Sequence, residues 1–295
     1  MKKLAALTVG CALLAGAPQL HAEAIFGLTT SDALVTFDTT TPGTISSPLP
    51  ITGLVGGDTL LGIDFRPATG QLYGLGSGSR LYLINTGTGV ATQVGTNGAF
   101  TLSGSAFGFD FNPVPDRIRV VSNTEQDIRL NPLTGGLAAT DGAITYAVGD
   151  VNFGANPNLV GSAYTNNFPG ALTTTLYNID SSLGVLTIQN PPNSGTNTTV
   201  GLLGVGFALS ENLGFDISGL SGSAFASFAS PTGTNSFLYS INLASGAATP
   251  VGAIGGAVLR DFSITPVPEP GTWAMLGLGL AMVLGKLRLM KSRPE

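Results

Sequence analysis

The chain has 295 residues, a formal net charge of −5 and only 10% charged residues, against 42 glycines and 18 prolines. Its single cysteine, Cys11, and single histidine, His21, both lie in the first twenty-one positions. Everything downstream therefore lacks the means to build a disulfide, a Cys/His zinc site, a cysteine nucleophile or a Ser-His-Asp triad.

The first element is a predicted signal peptide over residues 1–24. Lys2 and Lys3 form its charged start, Leu4–Ala17 its apolar stretch, and Ala22-Glu23-Ala24 its small-x-small cleavage pattern, with a cut after Ala22 nearly as plausible. Between Ile25 and Pro266 the only basic residues are Arg66, Arg80, Arg117, Arg119, Arg129 and Arg260. Fourteen acids oppose these six arginines, so the segment is net −8. A nucleic-acid surface needs clustered basic residues and is excluded. The glycines and lysines near the end have the wrong spacing for a phosphate loop.

This body, residues 25–266, is long enough for a substantial core. It shows short β-rich runs separated by Gly and Asx turns, with no helical apolar stripe, and is predicted to be all-β. One phrase recurs: an apolar strand, then Asn or Asp, then a turn closing on Gly. The copies are Leu34–Asp38 with Gly43, Leu81–Asn85 with Gly89, Ile128–Asn131 with Gly135, Leu176–Asp180 with Gly184, and Leu238–Asn242 with Gly246. Asx caps its own turn and Gly takes the positive-φ position.

A second phrase precedes the turns: Leu61-Gly-Ile-Asp-Phe-Arg-Pro67, Phe107-Gly-Phe-Asp-Phe-Asn-Pro113, a weaker Val151–Pro157, and Leu213-Gly-Phe-Asp-Ile217. A fifth copy, Arg260–Pro266, has no turn after it, while the first turn has no such strand before it. That offset predicts circular closure, the last strand completing a blade begun by residues 25–54. Four strands per unit and five units describe a five-bladed β-propeller; a β-sandwich or open solenoid built of the same hairpins is the alternative.

The chain ends in Val267-Pro268-Glu269-Pro270, an apolar run over 272–285 that includes Trp273, Leu276, Leu278, Leu280, Val283 and Leu284, and a basic tail of Lys286, Arg288, Lys291 and Arg293. Residues 267–295 are thus read as a single hydrophobic helix whose basic end stays in the cytoplasm. The combination closely resembles the PEP-CTERM sorting signal. The resemblance implies recognition by an exosortase-type membrane protease, a membrane-anchored intermediate, and export to the cell surface or the extracellular polysaccharide matrix. The paired Gly-Ile-Asp-Phe-Arg-Pro and Gly-Phe-Asp-Phe-Asn-Pro phrases, the Tyr82–Asn85 hairpin and Asp116–Asn123 make the body resemble a bacterial family of secreted domains of unknown function, which implies a fold and no chemistry.

Three sets of residues are candidates for a site. Asp64, Asp110 and Asp216 are equivalent in the repeat, with Gly154 and Ser263 in the other two places; converging on an axis, they offer a Ca²⁺ site, or else each fixes a strand end. Arg117, Arg119 and Arg129 form a candidate patch for an acidic polysaccharide or carboxylated partner, or else pair with Asp116, Glu125 and Asp127. Carboxylates suffice for glycoside hydrolysis in principle, but no pair stands out, and the tyrosines that would stack a sugar sit in strand phrases. No catalytic residue and no required cofactor is assigned. The reading is a non-enzymatic exported module that binds exopolysaccharide or surface proteins. A Ca²⁺-dependent polysaccharide-active enzyme and a self-assembling surface component are the alternatives.

Overall fold

The computed structural model describes residues 22–266; the predicted signal peptide as far as residue 21 and the segment beginning at Val267 lie outside them, and Ala24, the last residue of that prediction, already belongs to the first strand. The chain opens with β1 (Ala24–Thr29), β2 (Ala33–Asp38) and β3 (Leu49–Pro50). One sheet then follows another in order: β4 (Leu60–Arg66), β5 (Gln71–Gly76), β6 (Arg80–Ile84) and β7 (Ala91–Val94), and next β8 (Phe107–Asn112), β9 (Arg117–Ser122), β10 (Asp127–Leu130) and β11 (Leu137–Thr140). The third sheet holds β13 (Leu159–Tyr164), β14 (Leu176–Asp180), β15 (Val185–Gln189) and β16 (Thr196–Leu202), with β12 (Thr145–Tyr146) added parallel to β16. The fourth runs β17 (Leu213–Ile217), β18 (Ala224–Ala229), β19 (Ser236–Ile241) and β20 (Ala248–Ala253).

The last strand, β21 (Leu259–Ile264), pairs antiparallel with β1, so the fifth sheet reads β21-β1-β2-β3. The inner strands touch in the cycle β4-β8-β13-β17-β21-β4. This is a five-bladed propeller closed by strands from both ends of the domain, as the repeat offset predicts. We number the blades from 1 (β4–β7) to 4 (β17–β20) and call the fifth the closing blade.

The inner strands are buried on both faces, whereas outer strands such as β11 are largely exposed. Both-face burial explains their near-continuous apolar sequence, because neither side-chain direction reaches water. It also explains their glycines. A Cβ on Gly214 would stand 2.7 Å from the backbone nitrogen of Phe262, and one on Gly108 2.9 Å from that of Ser162, each in the next blade. Gly214→Val is expected to force that seam open and cost about 1–3 kcal/mol, read as a lower denaturant midpoint. An unchanged midpoint would show that the seam has slack.

The turns follow the Asx rule. Asn85, Asn131, Asp180 and Asn242 each accept backbone N–H groups two or three residues on, and Gly89, Gly135, Gly184 and Gly246 all have positive φ. Asp38 caps its turn through Thr40 and Thr41, but Gly43 is not among the positive-φ residues and lies in a longer loop.

One repeat assignment needs correcting. Val151–Pro157 is not the inner strand of blade 3; Leu159–Tyr164 is. The loop at 150–155 is instead a chain of turns held by Asp150, which accepts from Asn152 and Thr199. Gly154, with φ 87° and open space around it, is a turn residue.

Four of the five seams between blades are filled by apolar clusters of nine or more buried residues. The seam between blades 2 and 3 has only Val121, Ile144 and Leu159. A buried polar network occupies the space there, centred on Arg119, the largest of the fully buried side chains.

Candidate functional site on the propeller axis

The inner strands run in one direction around the axis, and in four of the five a central side chain reaches the next blade. Asp64 Oδ2 accepts the Phe111 N–H at 2.7 Å, Asp110 Oδ1 accepts from Tyr164 at 3.0 Å, and Asp216 Oδ2 accepts from Ile264 at 2.6 Å. Ser263 Oγ accepts from Phe65 at 3.1 Å and donates to Asp64 Oδ1 at 2.6 Å. These contacts form a daisy chain of blade-to-blade clasps. Register places Ala163, not Gly154, in the fourth position. Alanine has no acceptor, and the Ile217 N–H bonds Asp216 Oδ1 instead.

The structure thus brings Asp64, Asp110 and Asp216 together, with one carboxylate oxygen of each within 4.8 Å of the others, all three buried. A fourth carboxylate joins them. Asp261 accepts from the Ile63 N–H at 2.9 Å and occupies the register held by glycine in the other inner strands. Burial pushes Asp64 and Asp110 well above the usual carboxylate range, and the neighbouring charges, Asp216 on Asp64 and Asp64 on Asp110, push further. Burial raises Asp261 likewise. Asp216 goes up to about 6, because burial outweighs the N–H groups of Ile264 and Ile217. Like charges at such separations cannot all ionise in a dry interior without a cation.

The arginines do not form an open anion patch. Arg119 is 1% exposed; it donates to Asp127 and Asp141 at 2.5 Å, to Asn193 at 2.8 Å and to the Tyr164 hydroxyl at 3.1 Å. Arg129 forks onto Asp141 at 2.7 and 2.8 Å, and Arg117 folds back onto the carbonyls of Pro115 and Asp116. Arg119 and Arg129 are cross-strand partners on the face of blade 2 that packs against blade 3. The side they share is a seam rather than a surface. Of the expected acidic partners, Asp127 pairs with Arg119 while Asp116 pairs with Arg66.

Above the carboxylates, at the end where the inner strands begin, lies a cavity of about 320 Å³ lined by Leu61, Ser105, Ala106, Phe107, Glu211, Asn212 and Arg260. Four blades contribute to it. Asn123 fixes one wall, donating to Glu211 Oε1 and to Ser105 Oγ at 2.8 Å each. Arg260 is held on the other side by Asp32 and the carbonyl of Thr30. A larger cleft of about 430 Å³ runs along the flank of blade 1 between Gly70 and Thr92, but no titratable group lines it. Glu211 lies outside the repeated phrases, while Arg260 heads the fifth of them, in the place that Leu61 and Phe107 hold in theirs.

The family model described as "Domain of unknown function (DUF4394)" matches residues 33–263, and the PEP-CTERM protein-sorting motif matches residues 266–289. None of the curated proteins matches the chain. Among solved structures, a Bacteroides thetaiotaomicron VPI-5482 protein of unknown function shares 13% identity at TM-score 0.48, covering 82% of this chain and 66% of that one. A chain of a nidogen/laminin complex shares 11% at TM-score 0.45, covering 83% and 98%. Kuenenia stuttgartiensis hydrazine synthase shares 13% at 0.38; 69% of this chain is covered, and about half, 53%, of that one. The sorting motif implies export through an exosortase to the cell surface. With its repeat region matched almost from end to end, the chain belongs to the DUF4394 family and carries a PEP-CTERM sorting motif.

Proposed function

We propose that the propeller is a non-catalytic binding module, displayed at the cell surface or in its matrix, whose axial mouth takes a hydroxyl-rich unit of exopolysaccharide. The observation that carries this reading is the cavity at the start of the inner strands. It combines a carboxylate (Glu211), a guanidinium (Arg260), a hydroxyl (Ser105) and an amide (Asn212) with apolar Leu61 and Phe107. Paired donors and acceptors over an apolar floor match the two sides of a sugar ring.

Binding is favoured over hydrolysis because the mouth offers one carboxylate, whereas both glycosidase geometries need two flanking the bond. The axial aspartates act in this reading as clasps that hold protons, since they are spent on neighbouring N–H groups. Glu211→Ala should weaken binding of isolated exopolysaccharide about tenfold, the loss of one charge-assisted hydrogen bond, without moving the melting temperature. Undiminished affinity, measured by calorimetry, would move the site elsewhere. Chelator-sensitive shortening of the polymer would replace this reading with the enzyme, and assembly without glycan would replace it with the structural component.

A further inference from the structure

The two ends of the propeller differ in chemistry. At the end where the inner strands begin stand Asp32, Asp58, Glu125, Glu211 and Arg260. At the opposite end are the connections that follow the inner strands, residues 67–70, 113–116, 165–175 and 218–223. They carry a single ionisable residue, Asp116, and it is paired with Arg66. The ends of β1 and β2 add Glu23, which is buried, and Asp38, which caps its own turn.

The same connections expose large apolar side chains in three consecutive blades: Val114 at 46%, Phe168 at 37%, Leu172 at 90% and Leu220 at 59%. Phe168 and Leu220 belong to touching loops, for a Cβ on Gly219 would meet Asn167 and the Phe168 backbone. The chain leaves the domain at this end too. β21 finishes here at Ile264, Pro266 lies against Gly70, and β1 starts beside it, with the Thr265 N–H bonded to the Ala24 carbonyl.

From Pro266 the apolar run beginning at Thr272 is six residues away, at most about 22 Å of extended chain. We infer that this apolar-tipped end is a membrane-facing surface, seated on the bilayer while the 272–285 segment is inserted. The inference rests on the reading that this segment enters the membrane before processing. A short tether brings the face to the lipid, and the face has the chemistry to stay there: isolated apolar side chains enter the headgroup region, Asp116 is paired with Arg66, and Asp38 is taken up by the hydroxyls of Thr40 and Thr41. The charged end, with the axial mouth, then points away from the membrane.

The test uses the full-length chain in a Cys11→Ser background, reconstituted into phosphatidylethanolamine/phosphatidylglycerol vesicles. A single fluorophore is attached at Leu172→Cys, Leu220→Cys or, at the opposite end, Ser105→Cys. Lipid-borne nitroxides should quench the labels at 172 and 220 several-fold more than the label at 105. Trp273, the only tryptophan, reports insertion of the segment through quenching by brominated lipid. Quenched Trp273 with three equally unquenched labels would overturn the membrane-facing surface and leave the anchor standing. Unquenched Trp273 would overturn both. Shielding of 172 and 220 that requires exosortase-containing membranes would identify a protein, not lipid, as the occupant and overturn the inference as stated.

Discussion

Arg119→Ala is expected to destabilise the propeller by about 3–5 kcal/mol, the usual cost of stripping one partner from a buried ion pair. The cost should be high here because the seam between blades 2 and 3 has little else to hold it; its apolar cluster is three residues, and the guanidinium links Asp127, Asp141, Asn193 and Tyr164 across the gap. Asp127, raised by burial to about 6 even with its partner in place, would be left without its strongest counter-charge. Its pKa must then climb further, so the penalty should shrink in mild acid, where the carboxyl takes a proton, and grow towards pH 8. Arg119→Met combined with Asp127→Leu should recover part of the loss, since a packed apolar pair can replace a buried ionic one. Guanidinium unfolding at pH 5 and pH 8 reads both variants. A single-variant loss under about 1 kcal/mol, the scale of a surface pair, would mean that the network does not hold this seam.

This network also marks where the sequence stops being legible. Arg119 and Arg129 are cross-strand partners on one side of blade 2. Which side faces another blade depends on ring closure, which no local spacing encodes. The five hairpins, the circular offset and the convergence of Asp64, Asp110 and Asp216 are legible because repetition turns sequence equivalence into spatial equivalence. The same logic misplaces blade 3, because Val151–Pro157 carries the Asn-Pro ending of the phrase without the strand. Asp261 was detectable as the one charged residue at a position otherwise held by Gly62, Gly108, Gly161 and Gly214. Arg260 is marked in the same way, as the charged residue where Leu61, Phe107 and Leu213 open the other phrases, whereas the mouth residue Glu211 carries no such periodic mark.

The second large effect is pH dependence set by the axis. Folded-state carboxyl pKa values that lie above the unfolded ones mean that the native state binds more protons. Stability from these groups is then full below the ordinary carboxylate value and is lost as pH rises through the folded values. Asp216, moving from 3.8 to about 6, accounts for about 3 kcal/mol of loss across that window, at 1.36 kcal/mol per unit. Asp64, Asp110 and Asp261 extend the loss to higher pH. Asp38 opposes this only in strong acid, since hydroxyl bonds from Thr40 and Thr41 hold it down at about 2. The melting temperature should therefore peak in mild acid and fall towards pH 8 by about 2–4 °C per kcal/mol.

Asp110→Asn keeps an acceptor for the Tyr164 N–H and removes one ionisable group, so it should match wild type near pH 5 and exceed it at pH 8. Calcium should leave both curves unmoved. A calcium-dependent rise at pH 8 that vanishes in Asp110→Ala would make the cluster a cation site and end the proton-holding account.

The closing blade places a condition on how the domain comes into being. Its outer three strands come from the start of the domain and its inner strand from the end. A chain threaded across a membrane from its N-terminus therefore delivers β1 with an unpaired edge and keeps it so until Ile264 has crossed. Only two residues separate that strand from Val267, where the sorting segment begins. Completion of the ring and arrival of the sorting tag at the membrane are thus nearly the same moment in biogenesis. A protease reading the tag meets a finished propeller, whereas a chain stalled or truncated upstream presents an open sheet edge, the usual starting point for aggregation.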